Sequence, residues 1–273
     1  MKTSHKFVFG ALISILSVQL AYAENYVGVS LGYSFSERLN NLTGNENTNY
    51  PDPAQTDNPF TYFPGAHLSD VKLDNSLNAG VRVGHWFESQ PNWGFEIEGN
   101  FSRPDFKRQD VTISHPAIGE LLSYATGGEI TQSYITEDQD SAKIKLFQVS
   151  ADVMYRFSSE DKIKPYIGAG PTLNVMKISG TGYSGRFVSP DANTMLDCCG
   201  LFYGPGPNIS ETMVRVGANV KAGLTYSIDK DLDLGVEYKF NWTPVHISNF
   251  RSQSDLEGDF FSHAFSAVLI KKF

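Results

Sequence analysis

The stretch FFSHAFSAVLIKKF, Phe260 to Phe273, closes the sequence, and its alternation decides how the rest is read. Phe261, Phe265, Ala267, Leu269 and Phe273 share one parity, while Ser262, Ala264, Ser266, Val268 and Ile270 share the other. Successive side chains of an extended strand point to opposite faces, so one face here is aromatic and apolar and the other is small or apolar. A soluble domain has no need of such an ending. It suits a wall with lipid on one side and a narrow interior on the other.

Seven upstream segments carry the same period. Tyr26–Phe35 sets Val27, Val29, Leu31, Tyr33 and Phe35 against Gly28, Ser30, Gly32 and Ser34. Leu77–Phe87 sets Leu77, Ala79, Val81, Val83 and Phe87 against Asn78, Gly80, Arg82, Gly84 and Trp86. The others are Trp93–Phe101, Phe147–Phe157, Tyr166–Val175, Val216–Ile228 and Leu232–Trp242. Eight is an even number, as a closed antiparallel barrel requires, and closure matters because lipid cannot satisfy an open sheet edge. The segments therefore predict an all-β, closed antiparallel transmembrane barrel of eight strands. VTISHPAI and EITQSYIT leave open a ten-stranded wall, or a hairpin standing above the membrane.

A soluble β-sandwich also alternates, so three further features decide. The second face mixes Gly and Ser with charges of both signs: Arg82, Glu96, Glu98, Asp152, Arg156, Lys221, Asp233, Glu237 and Lys239. Glycine is a poor choice for a solvated strand but leaves room for long charged side chains in a lumen. These charges are expected to form an ion-paired network there. The connections alternate long and short: Glu37–Val71, Asp105–Asp140, Ile178–Glu211 and Thr243–Asp259 against Glu88–Asn92, Ser158–Lys164 and Asp229–Asp231. Long external loops and short periplasmic turns do this. Finally, Tyr33, Phe35, Trp86, Phe87, Trp93, Phe101, Tyr155, Phe157, Tyr226, Tyr238, Phe240, Trp242 and Phe273 gather at strand ends, as in interfacial girdles.

The other end of the sequence agrees. Lys2, His5 and Lys6 precede an apolar run of 14 residues, Phe7–Leu20, and then Ala21-Tyr22-Ala23. This is the layout of a secretory signal peptide, and the run is short for a bilayer-spanning helix. Residues 1–23 are expected to be removed, leaving 24–273 as one barrel domain. Without Lys2 and Lys6, 20 basic residues face 30 acidic ones. An exported, acidic, aromatic-rich chain is a poor nucleic-acid binder. The mean hydropathy of −0.25 does not exclude a membrane, because alternation hides apolar residues from an average.

YVGVSLGYSF at the start, PYIGAGPTL at Pro165–Leu173, DLDLGVEYKF at Asp231–Phe240 and the terminal Phe together resemble the small outer-membrane β-barrel proteins of Gram-negative bacteria. That group includes the transmembrane domain of outer membrane protein A and the opacity-type surface proteins. The resemblance covers the strands and not the loops. It implies an insertion signal at Phe265, Leu269 and Phe273 read by the barrel-insertion machinery, with Lys271 a departure from the usual apolar residue. It implies outer-membrane lipid as the surroundings and no common activity. Because the sequence stops at the barrel, no appended peptidoglycan-binding domain is expected.

Function is weighed between three classes. Long polar loops such as NNLTGNENTNYPDPAQTDNPF suit a surface protein that meets a host or environmental ligand. A small porin is the alternative, although eight strands leave a lumen that side chains fill. His246, Ser248 and Glu257 resemble the acyl-transfer residues of lipid A deacylases, with the wrong spacing to Glu257. No catalytic role, cofactor or metal is expected. The acidic residues Glu46, Asp52, Asp57, Asp70 and Asp74 lack the regularity of a calcium loop. Cys198 and Cys199 are adjacent and offer no disulfide framework. The tripeptides Asn41-Leu42-Thr43 and Asn208-Ile209-Ser210 match a glycosylation pattern that is too common to weigh.

Overall fold

The computed structural model describes residues 24–46, 67–68, 70–107, 110–114, 134–138, 143–180, 184–188, 209–250 and 254–273. Its elements are all strands: β1 (Glu24–Glu46), β2 (His67–Leu68), β3 (Val71–Lys72), β4 (Ser76–Trp86), β5 (Trp93–Ser102), β6 (Asp110–Ser114), β7 (Tyr134–Asp138), β8 (Lys143–Arg156), β9 (Ile163–Gly180), β10 (Ser184–Val188), β11 (Ile209–Asp229), β12 (Leu232–Phe250) and β13 (Ser254–Lys272). The expected signal peptide, the Cys198–Cys199 pair, Asn208, Asp52 and Asp57 lie outside the described residues.

Eight antiparallel strands close the wall in the order β1-β4-β5-β8-β9-β11-β12-β13, and β13 returns to β1. Tyr26 opposes Lys272, and Val29 stands between Leu269 on one side and Val81 on the other. The main chain stays paired to its last residue, with the Phe273 amide donating to the Asn25 carbonyl at 2.9 Å. The β6–β7 pair does not enter the wall, because β5 pairs directly with β8. It joins β2 and β10 in a ribbon running off β1. The wall is therefore eight-stranded, and the extra hairpin stands outside it.

Within the membrane band the protein is inside out. Leu31, Val81 and Val216 are more than 60% exposed, whereas Arg82, Glu98 and Asp152 are at most 2% exposed. Trp86 corrects the girdle assignment. It shares parity with Arg82 and lies inside, with its ring centroid 6.2 Å from that of Tyr26. The outward rings do pack side by side, as in Phe35–Phe265 and Trp93–Tyr155.

The strands run further than the alternating segments suggest. Much of Thr243–Asp259 and the ends of Ile178–Glu211, read as loops, continue β12, β13, β9 and β11. The reason is visible in β8. Its even face runs Ile144, Leu146, Gln148, Ser150, Asp152, all buried, and its odd face runs Lys143, Lys145, Phe147, Val149. Above the lipid the pattern reverts to apolar inside and charged outside, so the same strand keeps paying its way as an ordinary soluble sheet. Leu39, Leu42, Val71, Leu73, Phe106, Ile144, Leu146, Met176, Ile178, Met213, Val245, Ile247 and Phe260 form one buried apolar cluster inside this upper collar. Two irregularities in β1, between Phe35 and Arg38 and between Asn40 and Thr43, shift its register against β13. They turn Glu37, Leu39 and then Leu42 inward. Asn41 takes the left-handed conformation (φ 54°) at the second, which Asn tolerates better than most residues.

Phe260 is fully buried in the collar. Phe260→Ala is expected to cost about 3–5 kcal/mol. Lys145→Ala, exposed on the outside, should stay within about 0.5 kcal/mol. Urea unfolding in lipid vesicles measures both.

Candidate functional site: the filled lumen

Local pairing sets Arg82 on β4 opposite Glu98 on β5, but elsewhere in the lumen it sets like against like. Glu96 stands directly opposite Asp152 on β8, and Lys221 opposite Lys239 on β12. Like charges in such positions repel. The repulsion is relieved across the barrel. Lys221 on β11 reaches Glu96, and its Nζ lies 2.6 Å from Asp152 Oδ2 and 3.2 Å from Glu98 Oε2. Lys239 Nζ lies 3.0 Å from Glu98 Oε2.

Arg82 is the other hub. Its Nη1 and Nη2 donate to Glu237 Oε2 and Oε1 at 2.8 and 2.9 Å, and Nη2 also donates to Glu98 Oε1 at 3.0 Å. This planar fork suits a bidentate carboxylate. Two tyrosines that the charge pattern did not reveal complete the set. Tyr26 OH donates to Glu96 Oε2 and Tyr166 OH to Glu237 Oε2, each at 2.7 Å. Asn100 donates to Glu98 and Asn219 to Asp152. Together these groups come from seven of the eight wall strands, β13 excepted. The inward parity of Tyr26, Tyr166, Asn100 and Asn219 was the signal that would have found them.

Glycines give these side chains their space. A Cβ at Gly28 would sit 2.9 Å from Arg82 Cγ, and one at Gly168 would sit 3.1 Å from Lys221 Cε. One at Gly223 would meet the Tyr166 hydroxyl at 2.6 Å. Arg156 stands apart from the network, at the end with the short turns. It pairs with Glu24 at 3.1 Å, donates to the Pro91 carbonyl at 2.6 Å and lies 4.5 Å over the Trp86 ring. Asp233 is also there, 2.9 Å from Lys272 Nζ. A cavity of about 30 Å³ between Tyr26, Arg82, Trp86, Arg156 and Tyr166 has room for about one or two waters.

Glu96, Glu98 and Asp152 bring carboxylate oxygens within 4.8 Å of one another, a spacing that would suit a metal ion. The Lys221 ammonium already occupies that cluster, in contact with all three carboxylates. Of the insertion residues, Phe265, Leu269 and Phe273 all face outward and are exposed. Lys271 faces outward at the rim, 3.3 Å from Asp231 in the tight turn. Of the three acyl-transfer candidates, His246 and Glu257 meet at 3.1 Å on the outer surface of β12 and β13. The Ser248 side chain lies outside the described residues.

This architecture agrees with the sequence comparisons. The chain matches the family model described as outer membrane protein beta-barrel domain over residues 9–267. It belongs to that family. No curated protein matches it in sequence. Among solved structures it is similar to Neisserial surface protein A (14% identity, TM-score 0.45, covering 91% of this chain and 97% of that one). It is also similar to the outer membrane protease OmpT of Escherichia coli (10%, 0.50, 92% and 97%) and to OprG of Pseudomonas aeruginosa (10%, 0.45, 92% and 96%). At these identities the likeness is one of fold. The protein is an outer-membrane transmembrane β-barrel.

Two consequences can be measured. Arg82→Met takes from Glu237 its ion-pair partner in a dry interior, while Glu98 keeps Lys221 and Lys239, and should cost about 3–5 kcal/mol. Adding Glu237→Gln should recover part of that loss in a double-mutant cycle of urea unfolding. Glu37, just above the membrane band, is 1% exposed, and among the described residues its carboxylate accepts only a long 3.5 Å contact from the Ser76 hydroxyl. Burial pushes its carboxyl up to about 8. The folded state therefore holds this proton after the unfolded chain has lost it, so its contribution to stability falls as pH rises from about 4.5 to about 8. Glu37→Gln should flatten that slope in unfolding midpoints measured across the range.

Proposed function

We propose that this protein is a non-catalytic surface-interaction protein, exported with loss of residues 1–23, whose rigid barrel holds its long loops in place. The observation that carries this reading is the double filling of the interior. A buried ion network occupies the membrane level, and an apolar cluster lies across the collar above it. Eight-stranded walls enclose an interior about wide enough for side chains to fill. Such a molecule keeps what it offers to its surroundings on the outside. The connections leading from β1, β5, β9 and β12 all open at the collar end, and polar loops on a rigid frame are a common place for recognition. The His246–Glu257 contact lies on the outer wall and has no part in this reading.

Planar-bilayer recording tests it against the small-porin alternative. Refolded, heat-modifiable protein should give no steady conductance steps, and reproducible steps would turn the reading to a channel. Cells carrying the full chain should be retained on immobilised matrix proteins or glycans more than cells whose protein lacks residues 47–66, 115–133 and 189–208.

A further inference from the structure

At the upper edge of the lipid band the outer surface changes character within one step of the ladder. Phe101, Phe147, Val175 and Val214 form one outward row across β5, β8, β9 and β11. Two residues further from the membrane centre, the next outward row is Lys145 opposite Lys177, with Thr212 beyond Lys177. Arg103 continues this row on the other side of Lys145. The register between Ser102↔Leu146 and the Asp105↔Lys143 bridge places it there, and the Ile144 amide donates to the Pro104 carbonyl between them. Arg103, Lys145 and Lys177 are all exposed.

Neighbouring strands lie about 4.8 Å apart, so three cations stand side by side over roughly 10 Å. Like charges directly opposite one another cost stability. Inside the barrel the Lys221/Lys239 pair has the same geometry, and carboxylates from across the lumen neutralise it. Outside, none of the three cations is in an ion pair with another described residue. The nearest acid in register, Asp105, stands one pair further out, opposite Lys143. No described residue compensates this row, and it stands one step beyond the last outward apolar row, at the level where head groups of the outer leaflet lie.

We propose that Arg103, Lys145 and Lys177 bind the phosphorylated head group of an outer-leaflet glycolipid. The apolar row beneath them meets its acyl chains, and the cation row meets its phosphates. Arginine would take a phosphate through its fork and the two lysines as point charges. The site depends on the outer-membrane placement and is independent of the loop-binding function proposed above.

The test uses the refolded full chain in a zwitterionic detergent, titrated with bisphosphorylated lipid A, dephosphorylated lipid A or inorganic phosphate. The readout is the shift of the unfolding midpoint. Saturable, salt-sensitive stabilisation by the bisphosphorylated lipid alone is expected. Lys145→Gln and Lys177→Gln should each weaken it roughly fivefold, and the triple change with Arg103→Gln roughly a hundredfold. Lys162→Gln with Lys230→Gln, in the turns at the opposite end, should leave it unchanged. Unaltered heat-modifiable mobility checks that each variant is folded. Wild-type affinity in either single variant or in the triple variant overturns the proposal. So does equal stabilisation by dephosphorylated lipid, or by inorganic phosphate, which would make the row a site for free phosphate.

Discussion

Lipid offers the backbone no hydrogen bond, and every other feature of this protein follows from that. A wall crossing the membrane must satisfy each amide and carbonyl within itself, so the sheet has to close. Closure here is carried by β13 on β1, from Tyr26↔Lys272 outward to the collar. Once the sheet is closed, the two faces of each strand meet opposite solvents. The outward face is free to be apolar, and the inward face must build a core from groups that polar pairing can satisfy.

That inward core has two tiers with different physics. At membrane level, Arg82, Lys221 and Lys239 meet Glu96, Glu98, Asp152 and Glu237 with little access to water. Such groups are costly to bury, and they hold together only because each charge finds several partners. Above the membrane, water bathes the outside of the collar, and an ordinary hydrophobic interior becomes available again. Leu39, Ile144, Met176 and Phe260 take it. The change occurs within single strands, so the barrel and its collar form one continuous wall.

The strand count, the inward face and the alternation of long and short connections were legible in the sequence, because lipid on one side and a narrow lumen on the other enforce period two. Trp86 was misread as a girdle residue because its aromatic identity outweighed its parity. The collar was misread as loop for a related reason. Ile144, Met176 and Val245 are apolar on the face that carries charge lower down, so a reader expecting one pattern per strand sees the pattern end. The bulges of β1 hide the same change further, since they move the inward face from Ser34 to Glu37 and from Leu39 to Leu42.

By itself the sequence determined that this chain is a barrel wall and which side chains point into it, because parity is a local property of an extended strand. It did not determine which charges meet. In the ladder Glu96 faces Asp152 and Lys221 faces Lys239, and each arrangement alone is repulsive. Only the closed barrel brings β11 and β12 across from β5 and β8 and turns two repulsive pairs into one network. Whether two charges attract is set by the distance between them, and across a lumen that distance exists only once the sheet has closed.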